Sequence, residues 1–163
     1  VLFRSVVLGI LTPDGEIDIK RTKKLVNLAR PMEVTFHRAF DVTKDPFRSL
    51  DTLIDMGIDR VLTSGLEPTV TEGLDTLIEL VKRAGDNIIV MPGCGLTERN
   101  FANLHAKIGA KEYHLLLPGS VESKMIFRHP DIYMGGMLRQ GEYSITHTDQ
   151  ERVEAVTALR AKL

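Results

Sequence analysis

Residues 33–57 read EVTFHRAFDVTKDPFRSLDTLIDMG, and they carry one complete structural unit. Glu33 to His37 alternate polar with apolar side chains, the pattern of a half-buried strand. Asp45 stands where a helix needs its N-cap, and Pro46 where a missing N–H costs nothing. Phe47, Leu50, Leu53 and Ile54 then share one helical face, and Gly57 comes next as the stop. The unit is strand, loop, helix, stop.

The same unit recurs on both sides. Apolar runs begin at Val6 (VVLGIL), Glu33 (EVTFH), Arg60 (RVLTS), Asn87 (NIIVMP) and Lys111 (KEYHLLL); the first four starts are 27 residues apart and the last comes after 24. The intervening segments have helical spacing. Leu25, Val26, Leu28 and Ala29 precede Pro31; Leu74, Leu77, Ile78 and Val81 precede Gly85; Phe101, Leu104 and Ile108 lie between a cap at Thr97 and Gly109. Strand and helix alternating at one period predict parallel βαβ units, because a parallel strand is reached only by a crossover. Near-equal units, with no GxGxxG after any strand, favour a closed barrel over an open doubly wound sheet.

Composition narrows the function. The 163 residues are 43% hydrophobic and 26% charged with a net charge of −1, so neither sign offers a surface for nucleic acid or membrane. The single cysteine, Cys94, has no internal disulfide partner, and no apolar run reaches the roughly 18 residues of a membrane span. These features, with no visible signal peptide, predict a cytoplasmic protein. Val1 to Ser5 fit the repeat poorly and read as a remnant start, leaving residues 6–163 as the domain.

Candidate site residues collect at the strand ends. With Val34 and Phe36 facing the helices, Thr35 and His37 face inward; with Tyr113 and Leu115 outward, Glu112 and His114 face inward. A single inward histidine is more often a hydrogen-bonded core residue than a ligand. A buried glutamate beside two of them needs a compensating partner, for which Arg38 is the candidate, unless it snorkels to solvent. Asp41 is equally placed to cap the adjoining turn. The loops Thr63-Ser64-Gly65 and Pro92-Gly93-Cys94-Gly95 end strands with small residues, as an anion cradle would; tight turns need glycine as well. Cys94 would suit a soft metal such as Cu(I), although a lone cysteine is more often a small buried hydrophobe.

Val34 to Asp41 (VTFHRAFD), Arg60 to Gly65 (RVLTSG), Pro92 to Gly95 and Glu112 to His114 resemble the CutC family in order and spacing. Gly9 to Asp18, Phe127-Arg128 and Tyr143-Ser144 extend the resemblance over nearly all of the chain after Ser5. It implies an α/β fold: a partial TIM (β/α)8 barrel of five consecutive βα units, strands four to eight, with the N-terminal three units absent. It also implies a cytoplasmic, homo-oligomeric copper homeostasis protein that binds Cu(I). Two positions depart from the pattern: Cys94 replaces a glycine, and Leu116 replaces a small polar residue. On residue chemistry the alternative is a barrel enzyme acting on a small anionic or phosphorylated metabolite. His37 or His114 would then be the acid–base, Glu112 the orienter, and Thr63, Ser64, Gly65, Gly93 and Gly95 the anion contacts.

Overall fold

The computed structural model describes residues 4–130 and 142–160. Four short strands, β1 (Ser5–Leu8), β2 (Glu33–Phe36), β3 (Arg60–Thr63) and β4 (Ile89–Pro92), pair in parallel in the order β1-β2-β3-β4. Helices α1 (Ile19–Ala29), α2 (Pro46–Asp55) and α3 (Leu74–Ala84) make the crossovers, and α4 (Phe101–Ile108) comes after β4. Crossovers have one hand, so strands in consecutive order receive every helix on the same face. Among the described residues no strand reverses the order as in a doubly wound sheet.

Local sequence explains the helices. Asp45 accepts hydrogen bonds from the backbone N–H groups of Phe47 (2.9 Å) and Arg48 (3.1 Å), and Pro46 opens α2. Asp18 does the same for α1 through the Arg21 N–H at 2.8 Å. Val34 and Phe36 of β2, Val61 of β3 and Val90 of β4 pack with Leu50, Leu53, Leu77 and Leu80 from the helices, all fully or nearly fully buried. Each such side chain contributes about 1.5–3 kcal/mol by leaving water. The opposite sheet face is more open: Val7 of β1 is 64% exposed, and Leu62 and Met91 are half-buried.

The fifth parallel strand expected at 111–117 does not form. One bridge, Gly93 to His114, and one backbone bond, from the His114 N–H to the Pro92 carbonyl at 2.9 Å, tie that segment to β4. Residues beyond 115 instead belong to a second compact unit, 116–162. There β5 (Pro118–Glu122) pairs antiparallel with β6 (Ser144–Thr148), ahead of α5 (Gln150–Arg160). Pro118 opens β5, where the first residue of a strand can lack an N–H, and it pairs with Thr148. Asp149 caps α5 through the Arg152 N–H at 3.0 Å.

Two further expectations shift. Leu25 and Leu28 of α1 are exposed (39% and 71%) rather than facing the core, which α1 meets through Thr22, Val26 and Ala29. Thr97 sits in a turn ahead of α4: its N–H donates to Asn100 Oδ1 at 2.8 Å, and the helix starts only at Phe101.

Among the described residues strand β1 pairs on one side alone, and exposed Val7, Leu25 and Leu28 leave apolar surface on the same unit. Free edges and apolar patches recruit other chains. Size-exclusion chromatography with light scattering should therefore find the 163-residue chain self-associated; a monodisperse monomer would show that this edge is adequately protected. Asp45→Ala should cost about 1 kcal/mol in urea unfolding through loss of the α2 cap.

Candidate functional site

Parallel strands bring the ends of β2, β3 and β4 to one edge, and the polar residues just beyond them meet there. His37 comes directly after β2. Its N–H donates to the Leu8 carbonyl at 2.8 Å, and its Nδ1 accepts from the Ala39 N–H at 3.0 Å, starting a short 3-10 helix over Arg38–Val42. An acceptor Nδ1 leaves the proton of the neutral ring on Nε2. The ring lies against Gly9, where an added Cβ would stand 2.4 Å from Cε1, so only glycine fits opposite it.

Arg38 and Asp41 form the centre of the site. Arg38 Nε donates to Asp41 Oδ2 at 2.6 Å, Nη2 to Ser64 Oγ at 2.7 Å, and Nη1 to Cys94 Sγ at 2.8 Å. The Asp41 carboxylate, 7% exposed, also accepts from Thr63 Oγ1 (2.5 Å), the Ser64 N–H (3.1 Å) and the Leu66 N–H (3.3 Å), while the Ser64 hydroxyl donates to the Glu67 carbonyl. The carboxylate beside Arg38 holds its guanidinium above the usual range, against the opposing effect of burial. The 3-10 helix is capped by His37 and Thr43, so Asp41 is not its cap.

The hydroxyls of Thr63 and Ser64, expected to contact an anion, are thus spent on Asp41 and on the Glu67 carbonyl respectively. Gly65, at φ +81°, is needed for close packing: an added Cβ would lie 2.4 Å from the Gly73 carbonyl oxygen. Gly93 is pressed between Leu62 and His114 in the same way, and Gly95 against Thr69.

Glu112 is not part of this cluster, and Arg38 is not its partner. Arg60, at the start of β3, holds it through two bonds, Nε to Oε2 at 2.8 Å and Nη2 to Oε1 at 3.0 Å, while Nη1 donates to Glu33 at 2.9 Å. The two carboxylates, Glu112 foremost, push the Arg60 guanidinium well above its ordinary value. The charge compensation expected for Glu112 exists, but 52 residues away in sequence, beyond the reach of local pattern. Its neighbour Tyr113 is anchored separately: the phenol oxygen accepts from the Ala110 N–H at 3.1 Å and lies 3.0 Å from His105 Nδ1. Burial pushes this phenol above its usual range. His114 is brought to the edge by its bridge to Gly93.

Copper does not fit the donors in view. Cys94 Sγ already accepts from a guanidinium, whose charge repels a cation, and His37 has its Nδ1 engaged and its Nε2 protonated. Among the described residues no group of three His, Cys, Asp or Glu side chains could hold a metal ion. No helix among them is long and apolar enough to cross a membrane.

Comparison with known proteins gives a concordant picture. The model of the CutC family matches residues 1–118. A family protein CutC of Parabacteroides distasonis is 45% identical over 151 residues, covering 93% of this chain and 62% of the relative. The copper homeostasis protein cutC homolog of Homo sapiens is 41% identical over 155 residues, covering 95% and 57%. The chain therefore spans about three-fifths of the length of these relatives. The crystal structure of a Streptococcus agalactiae protein assigned to copper homeostasis as CutC superposes with a TM-score of 0.62 at 32% identity, over 66% of this chain and 53% of that one.

Segment 111–115 has so few ladder bonds that the Arg60–Glu112 pair is its main tie to β3. Arg60→Met should raise amide hydrogen exchange across 111–115 and lower stability by about 1–3 kcal/mol, the range for a partly buried ion pair left with one partner. Glu33→Gln, which removes only the more exposed arm, should leave that exchange unchanged. Equal exchange in Arg60→Met and the parent would show that backbone contacts alone suffice.

Proposed function

Because the chain belongs to the CutC family, we propose that it is part of a copper homeostasis protein acting on Cu(I) in the cytoplasm. The observation that carries this reading is the family match over residues 1–118, joined by relatives named for copper homeostasis in Homo sapiens, Mus musculus and Dictyostelium discoideum. In this reading the parallel unit is an arc of a TIM barrel, assembled as a homo-oligomer. The consecutive strand order and the helices on one face support the barrel. Cu(I) is held by donors other than the strand-end cluster, since Cys94, His37 and Arg38 are already committed to one another or to backbone.

One observation favours a second reading. His37 presents Nε2–H at a strand end beside Arg38, and hydrogen-bond donors suit a small anionic or phosphorylated metabolite better than a cation. His37 would then be the proton donor, with His114 the other candidate acid–base and the Gly93–Gly95 loop beside it.

A Cu(I) competition titration of Cys94→Ser tests where Cu(I) is held. Unchanged affinity and stoichiometry are expected; a lost equivalent of Cu(I) would make Cys94 a ligand and overturn the assignment of Cu(I) to other donors. Native mass spectrometry of the protein purified without added metal provides the complementary reading. A copper adduct supports the first function, and a co-purifying anionic metabolite the second.

A further inference from the structure

We propose that Arg38, Thr63, Ser64 and the Leu66 N–H form an oxyanion site whose built-in occupant is the Asp41 carboxylate. Four donors converge on it: Arg38 Nε, Thr63 Oγ1, the Ser64 N–H and the Leu66 N–H, at 2.5–3.3 Å, while the Ser64 hydroxyl donates to the Glu67 carbonyl. Two carboxylate oxygens offer about four lone-pair positions, so the site is saturated. The donors come from three separate places: the 3-10 helix, the end of β3 and the loop after it.

A capping aspartate engages one or two N–H groups at the start of its own helix. Asp41 does something else, because His37 and Thr43 cap the helix that contains it. A guanidinium, a hydroxyl and main-chain N–H groups gathered in a place where the acceptor is 7% exposed are what carboxylate and phosphate sites are made of. The orientation of Arg38 is fixed independently by Cys94 Sγ and Ser64 Oγ, so its donors remain aimed at the site when the occupant is removed. With Asp41 in place the cradle is closed to free anions; without it, the cradle takes a small carboxylate such as formate, and then phosphate as far as space allows. This holds whichever ligand the protein handles.

The test is chemical rescue of Asp41→Gly. Its thermal midpoint is measured in sodium formate, sodium acetate and sodium phosphate against sodium chloride at equal ionic strength. In chloride the midpoint should fall. In formate it should climb with the logarithm of concentration, as for a ligand that binds only the folded state, and recover at least half of the loss. The parent protein should show no such specific response, and neither should Asp51→Gly, which breaks an exposed ion pair with Arg83. Adding Arg38→Met to Asp41→Gly should abolish the rescue. Formate and chloride acting alike on Asp41→Gly would overturn the proposal. Should Asp41→Gly not fold in any salt, Asp41→Asn decides. A parent-like midpoint in that neutral isostere would show that the site needs no anion and overturn the proposal, whereas a clear fall supports it.

Discussion

The crossover constraint governs the first unit. A strand that leaves the sheet and returns parallel does so with one hand, and four strands taken in consecutive order must therefore place every helix on the same side. The helix-facing side chains become the core: Val34, Phe36, Val61 and Val90 against Leu50, Leu53, Leu77 and Leu80. The other sheet face receives none of these crossover helices, which is why it can carry charge. Arg60 occupies that face with Glu33 and Glu112 around it, an arrangement that the leucine-filled side could not accommodate.

Charge in this unit is settled internally. Asp41 neutralises Arg38 and gathers the end of β3 around itself; Glu112 and Glu33 do the same for Arg60. Both networks join segments distant in sequence, so they specify which loop lies beside which strand as well as contributing stability. They also restrict chemistry. A thiol that accepts from a guanidinium and an imidazole with Nδ1 occupied are poor ligands for a cation, which separates the copper association of the family from this particular cluster.

What is legible in the sequence is what depends on near neighbours. The Asp45 cap, Pro46, the apolar face of α2 and the presence of the four parallel strands depend on residues within a few positions of one another, and the structure bears them out, with β1 beginning at Ser5 rather than Val6 and β4 at Ile89 rather than Asn87. The inward placement of Thr35 and His37 comes from alternation alone. Glu112 is readable as a charge that needs a partner, but not as the partner of Arg60, because nothing local links positions so far apart. Asp41 resembles a cap because aspartate before a turn usually is one; its four donors become visible only once β3 is laid beside the 3-10 helix. The run KEYHLLL has the composition of a strand, yet strand formation needs a continuous ladder, and this segment meets β4 through the single bridge from Gly93 to His114.

The way Asp41 is attached has a kinetic and evolutionary meaning. A carboxylate fixed by its own backbone a short distance from its donors faces them at an effective concentration far above the millimolar level of free anions in a cell. Ordinary fluctuations in phosphate or organic acids therefore leave the end of β3 in one state. A single base change that removed the carboxylate would exchange this constancy for responsiveness, turning a structural loop into one that reports on its ionic surroundings. Sites of this kind put a ligand-dependent protein one substitution away from a ligand-independent one.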